Sequence, residues 1–146
     1  MLTIMLVLFS MSPECEIATK TFWIGFNDII HNFNKAVNSK PSNASSEIKT
    51  TIKKIRNMPT KNVDSMVLLY SEKRIKLAFD YAEFIDSIKI ESDEFFKTDY
   101  QLKNGRENRD NIQRKYQYLY DKHRDIDAEQ KVLASYLFEN YKIDYK

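Results

Sequence analysis

The chain has 146 residues, and its 23 basic and 21 acidic side chains leave a formal net charge of +2. This length corresponds to one domain, and the small net charge excludes a strong overall field that would attract nucleic acid or anionic membranes. With only two Gly and three Pro and no hairpin signal, the sequence predicts an all-α fold.

The first segment, residues 1–16, opens with the apolar run MLTIMLVLFS. This run resembles the hydrophobic part of a secretory signal, but no Lys or Arg precedes it and no clear cleavage site follows it. It is too short for a transmembrane helix, which needs about 20 apolar residues. The sequon at Asn43 is compatible with secretion, whereas the single cysteine, Cys15, fits a reducing compartment. Both locations therefore stay open.

Residues 17–40 repeat apolar side chains at steps of three and four, which predicts an amphipathic helix. Its opposite face carries Asn27, Asp28, His31 and Lys35. The pattern fits either a core helix or a surface that meets lipid. The apolar stripe consists of large side chains: Phe22, Trp23, Phe26, Ile29, Ile30 and Phe33.

Residues 41–146 are predicted to form an elongated antiparallel helical bundle or coiled coil. After the break at Pro41, Ser45 or Ser46 can cap a short helix that ends before Pro59. Its inner side carries isoleucines, namely Ile48, Ile52 and Ile55. Its outer side is basic, with Lys49, Lys53, Lys54 and Arg56.

A third helix is predicted from the heptad spacing of its apolar residues, and it continues through Leu102 to a terminator at Asn104. Such a long helix suggests a partner helix from another chain, and hence a homo- or heterodimer. The seam of this predicted coiled coil consists of Val63, Val67, Tyr70, Leu77, Tyr81, Phe84 and Ile88.

Two more helices are predicted toward the C-terminus. The first has an apolar side of Ile112, Tyr116, Leu119 and Tyr120. The second begins at Asp127, which forms a capping-box pattern with Gln130 three residues later. Its apolar side consists of Val132, Leu133, Tyr136, Leu137 and Tyr141. The stretch DKHRDID between them is interpreted as a solvated junction.

No specific catalytic or metal-binding motif is present, so we predict no enzymatic activity and no cofactor or metal. His31 and His123 are interpreted as polar surface side chains. A calcium loop counted from Asp121 would place Ile126 and Val132 where Gly and Glu are required. The segment RKYQYLYDKHR mixes Tyr with basic residues, but acidic neighbours dilute its charge, so we predict no nucleic-acid partner.

Three segments, in order along residues 22–143, resemble the BAR-domain sorting nexins of the retromer-associated type. IIHNFNKAVNSK is similar to the amphipathic segment that precedes their first BAR helix, with the run Phe33 to Ala36 in common. RIKLAFDYAEFIDSIKIESDE resembles that first helix, and IQRKYQYLYDKHRDIDAEQKVLASYLFENYKI resembles the start of the second. The matching positions are Arg74, Leu77, Ala78, Ala82, Phe84, Ser87, Asp127, Leu133, Leu137 and Tyr141.

The resemblance implies a non-enzymatic protein that binds or senses curved phospholipid membranes in endosomal sorting and vesicle transport, on the cytosolic face of endosomes. It would insert the aromatic stripe into the headgroup region, with the basic side of the second helix adding attraction to anionic lipid. The alternative is a small secreted helical protein that binds an apolar ligand or a protein partner. The implied membrane-binding residues are Phe22, Trp23, Phe26, Ile29, Ile30, Phe33, Lys49, Lys53, Lys54 and Arg56.

Overall fold

The computed structural model describes residues 12–95 and 105–144 and confirms an all-α helical bundle. The apolar residues 1–11 and the predicted end of the third helix at Leu102 and Asn104 lie outside the described residues. The described elements are α1 (Pro13–Ser39), a 3₁₀ turn (Pro41–Asn43), α2 (Ala44–Arg56), α3 (Ser65–Phe95) and α4 (Gly105–Tyr141).

Helix α1 begins four residues earlier than predicted, inside the segment that was interpreted as a possible leader. Ser12 is the N-cap, and its hydroxyl accepts a hydrogen bond from the Cys15 amide at 3.2 Å. Pro13 occupies the first turn, and Glu14 and Glu16 place negative charge at the positive end of the helix dipole. The sequence Ser-Pro-Glu therefore begins a helix in this structure.

Helix α2 follows the predicted inside and outside faces. Ile48, Ile52 and Ile55 are buried, and the basic side chains opposite them are exposed. The predicted cap is wrong, because the helix begins at Ala44 and the Ser45 hydroxyl is buried without a hydrogen-bond partner among the described residues. Residues 57–64 connect α2 to α3, and α2 runs back along α3 so that Lys49 pairs with Asp86 at 2.7 Å.

Helices α3 and α4 pack antiparallel. Lys73 pairs with Glu129 at 2.6 Å, whereas farther along α3 the ring of Phe84 lies 6.4 Å from that of Tyr116. The predicted helix start at Asp127 is wrong, since α4 runs without a break through the stretch DKHRDID. Residues 106–144 contain neither Gly nor Pro, and Ile126 is buried in line with the other apolar residues of α4, so nothing interrupts the helix.

The first three residues of the apolar stripe of α1 lie at the centre of the core and do not face outward. Phe22, Trp23 and Phe26 are 3%, 3% and 2% exposed. The Trp23 ring lies 6.0 Å from that of Phe26 and 5.9 Å from that of Tyr70 on α3, distances typical of stabilising aromatic pairs. The prediction that these three side chains meet lipid is therefore wrong for this structure. Their burial against α3 already removes them from water.

The predicted seam of α3 is covered by helices of the same chain. Val63, Val67, Tyr70 and Leu77 are buried, although Val63 precedes the helix. Tyr81, Phe84 and Ile88 are half-buried. Because α1, α2 and α4 supply the partners for the buried part, the seam does not require a second chain, and dimerisation stays a prediction.

The apolar face of α4 is narrower than the sequence pattern indicated. Leu119, Leu133, Leu137 and Tyr141 are buried as predicted. Several predicted face residues are instead exposed, namely Tyr116, Tyr120 and Val132. A tyrosine can leave its ring edge and hydroxyl in water, so tyrosines at helical spacing overstate the width of a buried face.

Candidate ligand-binding cavity

A cavity of about 480 Å³ lies between the four helices, next to the aromatic core. Helix α1 contributes the half-buried Ile30 and Phe33 from the half of its stripe beyond Phe26. The other apolar lining residues come from α1, α2 and α3, and α4 adds none of them: Val37, Ala44, Ile48, Ile52, Ile55, Ile75, Leu77, Ala78 and Ile85. Apolar side chains thus make up most of the wall, which is the usual character of a small-molecule site.

The polar lining is small, and its members are spread over all four helices. Asn34 and Thr51 contribute an amide and a hydroxyl, while Arg74, Tyr81 and His123 supply the remaining polar groups. Asn34 and His123 are exposed, so the cavity reaches solvent near these two residues. A wall of this kind can accept an apolar body and hold one polar group in a defined position.

Arg74 is fixed from three directions. Its Nε donates to the Tyr70 hydroxyl at 2.7 Å, and its Nη2 donates to Asp127 and Gln130, each at 2.7 Å. The Arg74 guanidinium carbon also lies 5.6 Å from the centre of the Tyr70 ring, within the range of a cation–π contact. These contacts together fix the position of the guanidinium at the cavity wall.

Tyr81 and His123 lie side by side at the same end of the cavity. Their rings meet edge to face with centroids 6.3 Å apart. Burial raises the pKa of the Tyr81 hydroxyl, and its electrostatic interactions with Tyr116 and with the Asp127 carboxylate act in the same direction, so this hydroxyl stays protonated at neutral pH. His123 Nε2 lies 3.5 Å from Asp127, the carboxylate that also holds Arg74.

The structure divides the predicted site residues among three places. Ile30, Phe33, Leu77 and Tyr81 line the cavity. Phe22, Trp23 and Phe26 belong to the core, and Ile29 is half-buried against it. The basic residues of α2 lie on its outer side, where Lys49 is engaged by Asp86 and the others are exposed: Lys53, Lys54 and Arg56.

A second polar cluster, centred on Asp64, ties three helix ends together. Asp64 Oδ2 accepts hydrogen bonds from the hydroxyls of Tyr136 and Tyr141 on α4, at 2.7 and 2.5 Å. Its Oδ1 accepts the Met66 amide at 2.8 Å at the start of α3. Its own backbone amide donates to the Thr19 hydroxyl of α1 at 2.9 Å. Asp64, the residue directly before α3, therefore joins α1, α3 and α4.

The titration of this Asp64 cluster follows from its hydrogen bonds. Desolvation by burial raises the pKa of Asp64, but the hydroxyls of Tyr141 and Tyr136 and two backbone amides together lower it below the ordinary value. Burial and the bond to Asp64 raise the pKa of Tyr136 to about 12, and the pKa of Tyr141 is raised as well. Because Tyr141 gives its one proton to Asp64, its 3.5 Å contact with Cys15 Sγ requires the thiol as donor.

Sequence reasoning missed the Asp64 cluster. The local signal was the helix cap, since Asp64 precedes the apolar run of α3 and Asp is a favoured N-cap residue. The tyrosine partners lie 72 and 77 residues away, and no local pattern links them to it.

Residues 12–95 and 105–144 contain neither a metal site nor a membrane span. No group of three His, Cys, Asp or Glu side chains in these ranges is placed to hold a metal ion. In the same ranges, no helix combines the length and the apolar character that a membrane span requires.

Comparison of the chain with family models, with curated proteins and with solved structures finds no match. The resemblance to BAR-domain sorting nexins therefore stays a prediction.

Proposed function

We propose that this protein is a non-enzymatic helical bundle that binds an apolar ligand in the cavity between its four helices. The observation that carries the proposal is the cavity of about 480 Å³ with a mostly apolar wall. Known small-molecule sites occupy about 300 to 1,000 Å³ and have the same character.

The packing of protein interiors supports this proposal. Protein cores are close-packed, and voids larger than a water molecule are few. A mostly apolar wall gives water few hydrogen-bond partners, so filling the cavity with water brings little stabilisation. An aliphatic ligand would cover half-buried side chains such as Ile30, Phe33 and Val37, at about 25 cal/mol for each Å² of apolar surface removed from water.

A cavity-filling substitution tests the proposal. We expect Ala78→Phe to weaken the binding of N-phenylnaphthylamine, a neutral apolar fluorophore, by about tenfold or more, because the new ring occupies space in the cavity wall. Binding is measured from the fluorescence increase when the probe leaves water.

Ala128→Phe is the matched control, because it adds the same ring to an exposed position of α4. We expect this variant to bind the probe like the parent. If Ala78→Phe folds and binds the probe as tightly as the parent does, or if the parent binds no probe, the proposed function is wrong.

A second candidate function is association with the surface of anionic membranes, which the resemblance to sorting nexins predicts for the cytosolic face of endosomes. The observation that favours it is the exposure of Lys53, Lys54 and Arg56 on the outer side of α2. Each cation near an anionic surface contributes about 1 kcal/mol. In this mode of membrane association, the aromatic residues of α1 stay in the core, and α2 contacts the membrane through electrostatic attraction.

Charge reversal tests the second candidate. We expect the triple variant Lys53→Glu, Lys54→Glu, Arg56→Glu to bind phosphatidylserine vesicles with an apparent affinity about a hundredfold or more below that of the parent. Binding is measured by co-sedimentation with the vesicles.

The control changes three exposed cations of α4 instead, through Arg109→Glu, Arg114→Glu and Lys115→Glu, and so produces the same net charge. Equal losses in the two triple variants would mean that only overall charge matters. Retention of binding by the α2 variant would exclude this surface. The same cations also stabilise the C-terminal end of the α2 dipole, so helix content is checked by circular dichroism.

A further inference from the structure

The cavity between the helices has an uneven distribution of charge. Among the described lining residues, Arg74 carries the only permanent charge, His123 is the only histidine, and there is no Asp or Glu. Both lie toward the face where α3 meets α4, because each is within hydrogen-bonding or ion-pair distance of Asp127. The rest of the wall is mostly apolar, with Asn34, Thr51 and Tyr81 as its uncharged polar members.

We propose that the ligand is an aliphatic chain with one carboxylate, and that Arg74 and His123 receive the carboxylate while the chain lies along α1 and α2. This inference rests on the proposed function, since it names the class of ligand for the same cavity. The chain would run toward Phe33, Val37 and Ile48.

The hydrogen bonds of Arg74 leave part of its guanidinium for a ligand. Its Nε and Nη2 are engaged by Tyr70, Asp127 and Gln130, whereas Nη1 has no acceptor among the described residues. Arginine is the side chain best suited to a carboxylate because its planar fork offers several parallel donors. His123 adds a second donor next to it.

Charge complementarity favours an anionic head over the other possibilities. A carboxylate that leaves water loses its hydration, which costs free energy unless donors or a positive charge replace the water. Arg74 and His123 supply these groups. A cationic head would be repelled by Arg74, and a neutral head would gain only ordinary hydrogen bonds. Asp127 is not among the lining residues, but it binds the Arg74 guanidinium at 2.7 Å and so competes with the ligand for it.

A matched ligand series tests the inference on the unaltered protein. Bound N-phenylnaphthylamine is displaced with dodecanoate, dodecanol and dodecyltrimethylammonium, which share one chain and differ in the charge of the head. We expect dodecanoate to displace the probe at a concentration about tenfold or more below the concentration of dodecanol that is required. Dodecyltrimethylammonium should be the weakest competitor.

Two variants locate the carboxylate. Arg74→Gln is expected to remove the advantage of dodecanoate over dodecanol, and Asp127→Asn to increase it because Arg74 loses its competing partner. If dodecanol and dodecanoate displace the probe equally from the parent, the inference is overturned while the proposed function stands. If no chain displaces the probe, the proposed function fails too. Because the ligand series uses the parent protein, it can refute the inference even if Arg74→Gln does not fold.

Discussion

Phe26→Ala is expected to lower the free energy of unfolding by about 4 kcal/mol, the largest effect of any single truncation that we consider. Phe26 is 2% exposed and contacts the rings of Phe22, Trp23 and Tyr70, at centroid distances between 6.0 and 6.3 Å. Removing its ring leaves a cavity where α1 meets α3. The measurement is urea unfolding followed by the emission of Trp23, the only tryptophan.

Ile24→Ala is the control for this experiment. Ile24 is on the same helix but 59% exposed, so we expect its truncation to change stability by no more than about 0.5 kcal/mol. Because Trp23 is already buried, its emission in buffer should be that of an apolar environment, and anionic vesicles should not shift it further. Equal stability of Phe26→Ala and Ile24→Ala, or a clear blue shift on adding vesicles, would contradict the core assignment and restore the lipid-facing interpretation.

The class of fold was predictable because periodicity and the scarcity of Gly and Pro are local properties. The inner face of α2 was correct for the same reason, since Ile48, Ile52 and Ile55 lie on one side of any helix that contains them. Periodicity shows that one face of a helix must be covered, but it does not show by what. Lipid and the Tyr70 ring of α3 were equally compatible with the sequence around Trp23.

The capping-box pattern at Asp127 shows how a local motif can be misleading. Asp127 and Gln130 have the spacing of a helix start, yet both side chains bind Arg74 from within a continuous helix. The spacing of three residues that suits a cap also places two side chains on one side of a helix. Only the position of α3 distinguishes the two cases, and that position is tertiary information.

The sequence suggested an apolar ligand only as an alternative and did not locate the cavity, although Ile30, Phe33, Leu77 and Tyr81 were selected for other roles. Its volume depends on how far the helices diverge beyond the aromatic core. That distance follows from the packing of all four helices and not from any one segment.

Asp64→Asn is expected to lower the free energy of unfolding by about 2 kcal/mol near neutral pH, because hydrogen bonds to a charged acceptor are stronger than those to a neutral one. Asparagine has almost the same shape as Asp64 and is as good an N-cap, so the start of α3 is preserved. The substitution therefore isolates the contribution of the carboxylate to its bonds with Tyr136 and Tyr141. Urea unfolding at several pH values measures it.

The contribution of the Asp64 cluster to the free energy of unfolding should fall both in acid and in base. The folded pKa of Asp64 lies below its ordinary value of 3.8, so its contribution is complete above that pH and is lost as the pH falls through the folded pKa. The difference between parent and Asp64→Asn should therefore disappear in acid. The folded pKa of Tyr136 is raised from 10.0 to about 12, so its contribution is complete below pH 10 and is lost as the pH rises toward 12.

The tyrosine variants separate the two bonds that Asp64 accepts. Tyr141 is 1% exposed and its hydroxyl contacts both Asp64 and Cys15, so Tyr141→Phe should destabilise the protein more than Tyr136→Phe, whose ring is only half-buried. Asp125→Asn, at an exposed position of α4, makes the same chemical change as Asp64→Asn and should have an effect within about 0.5 kcal/mol. If Asp64→Asn is no more destabilising than Asp125→Asn, the carboxylate does not hold the three helix ends together, and the packing of Tyr141 alone must do so.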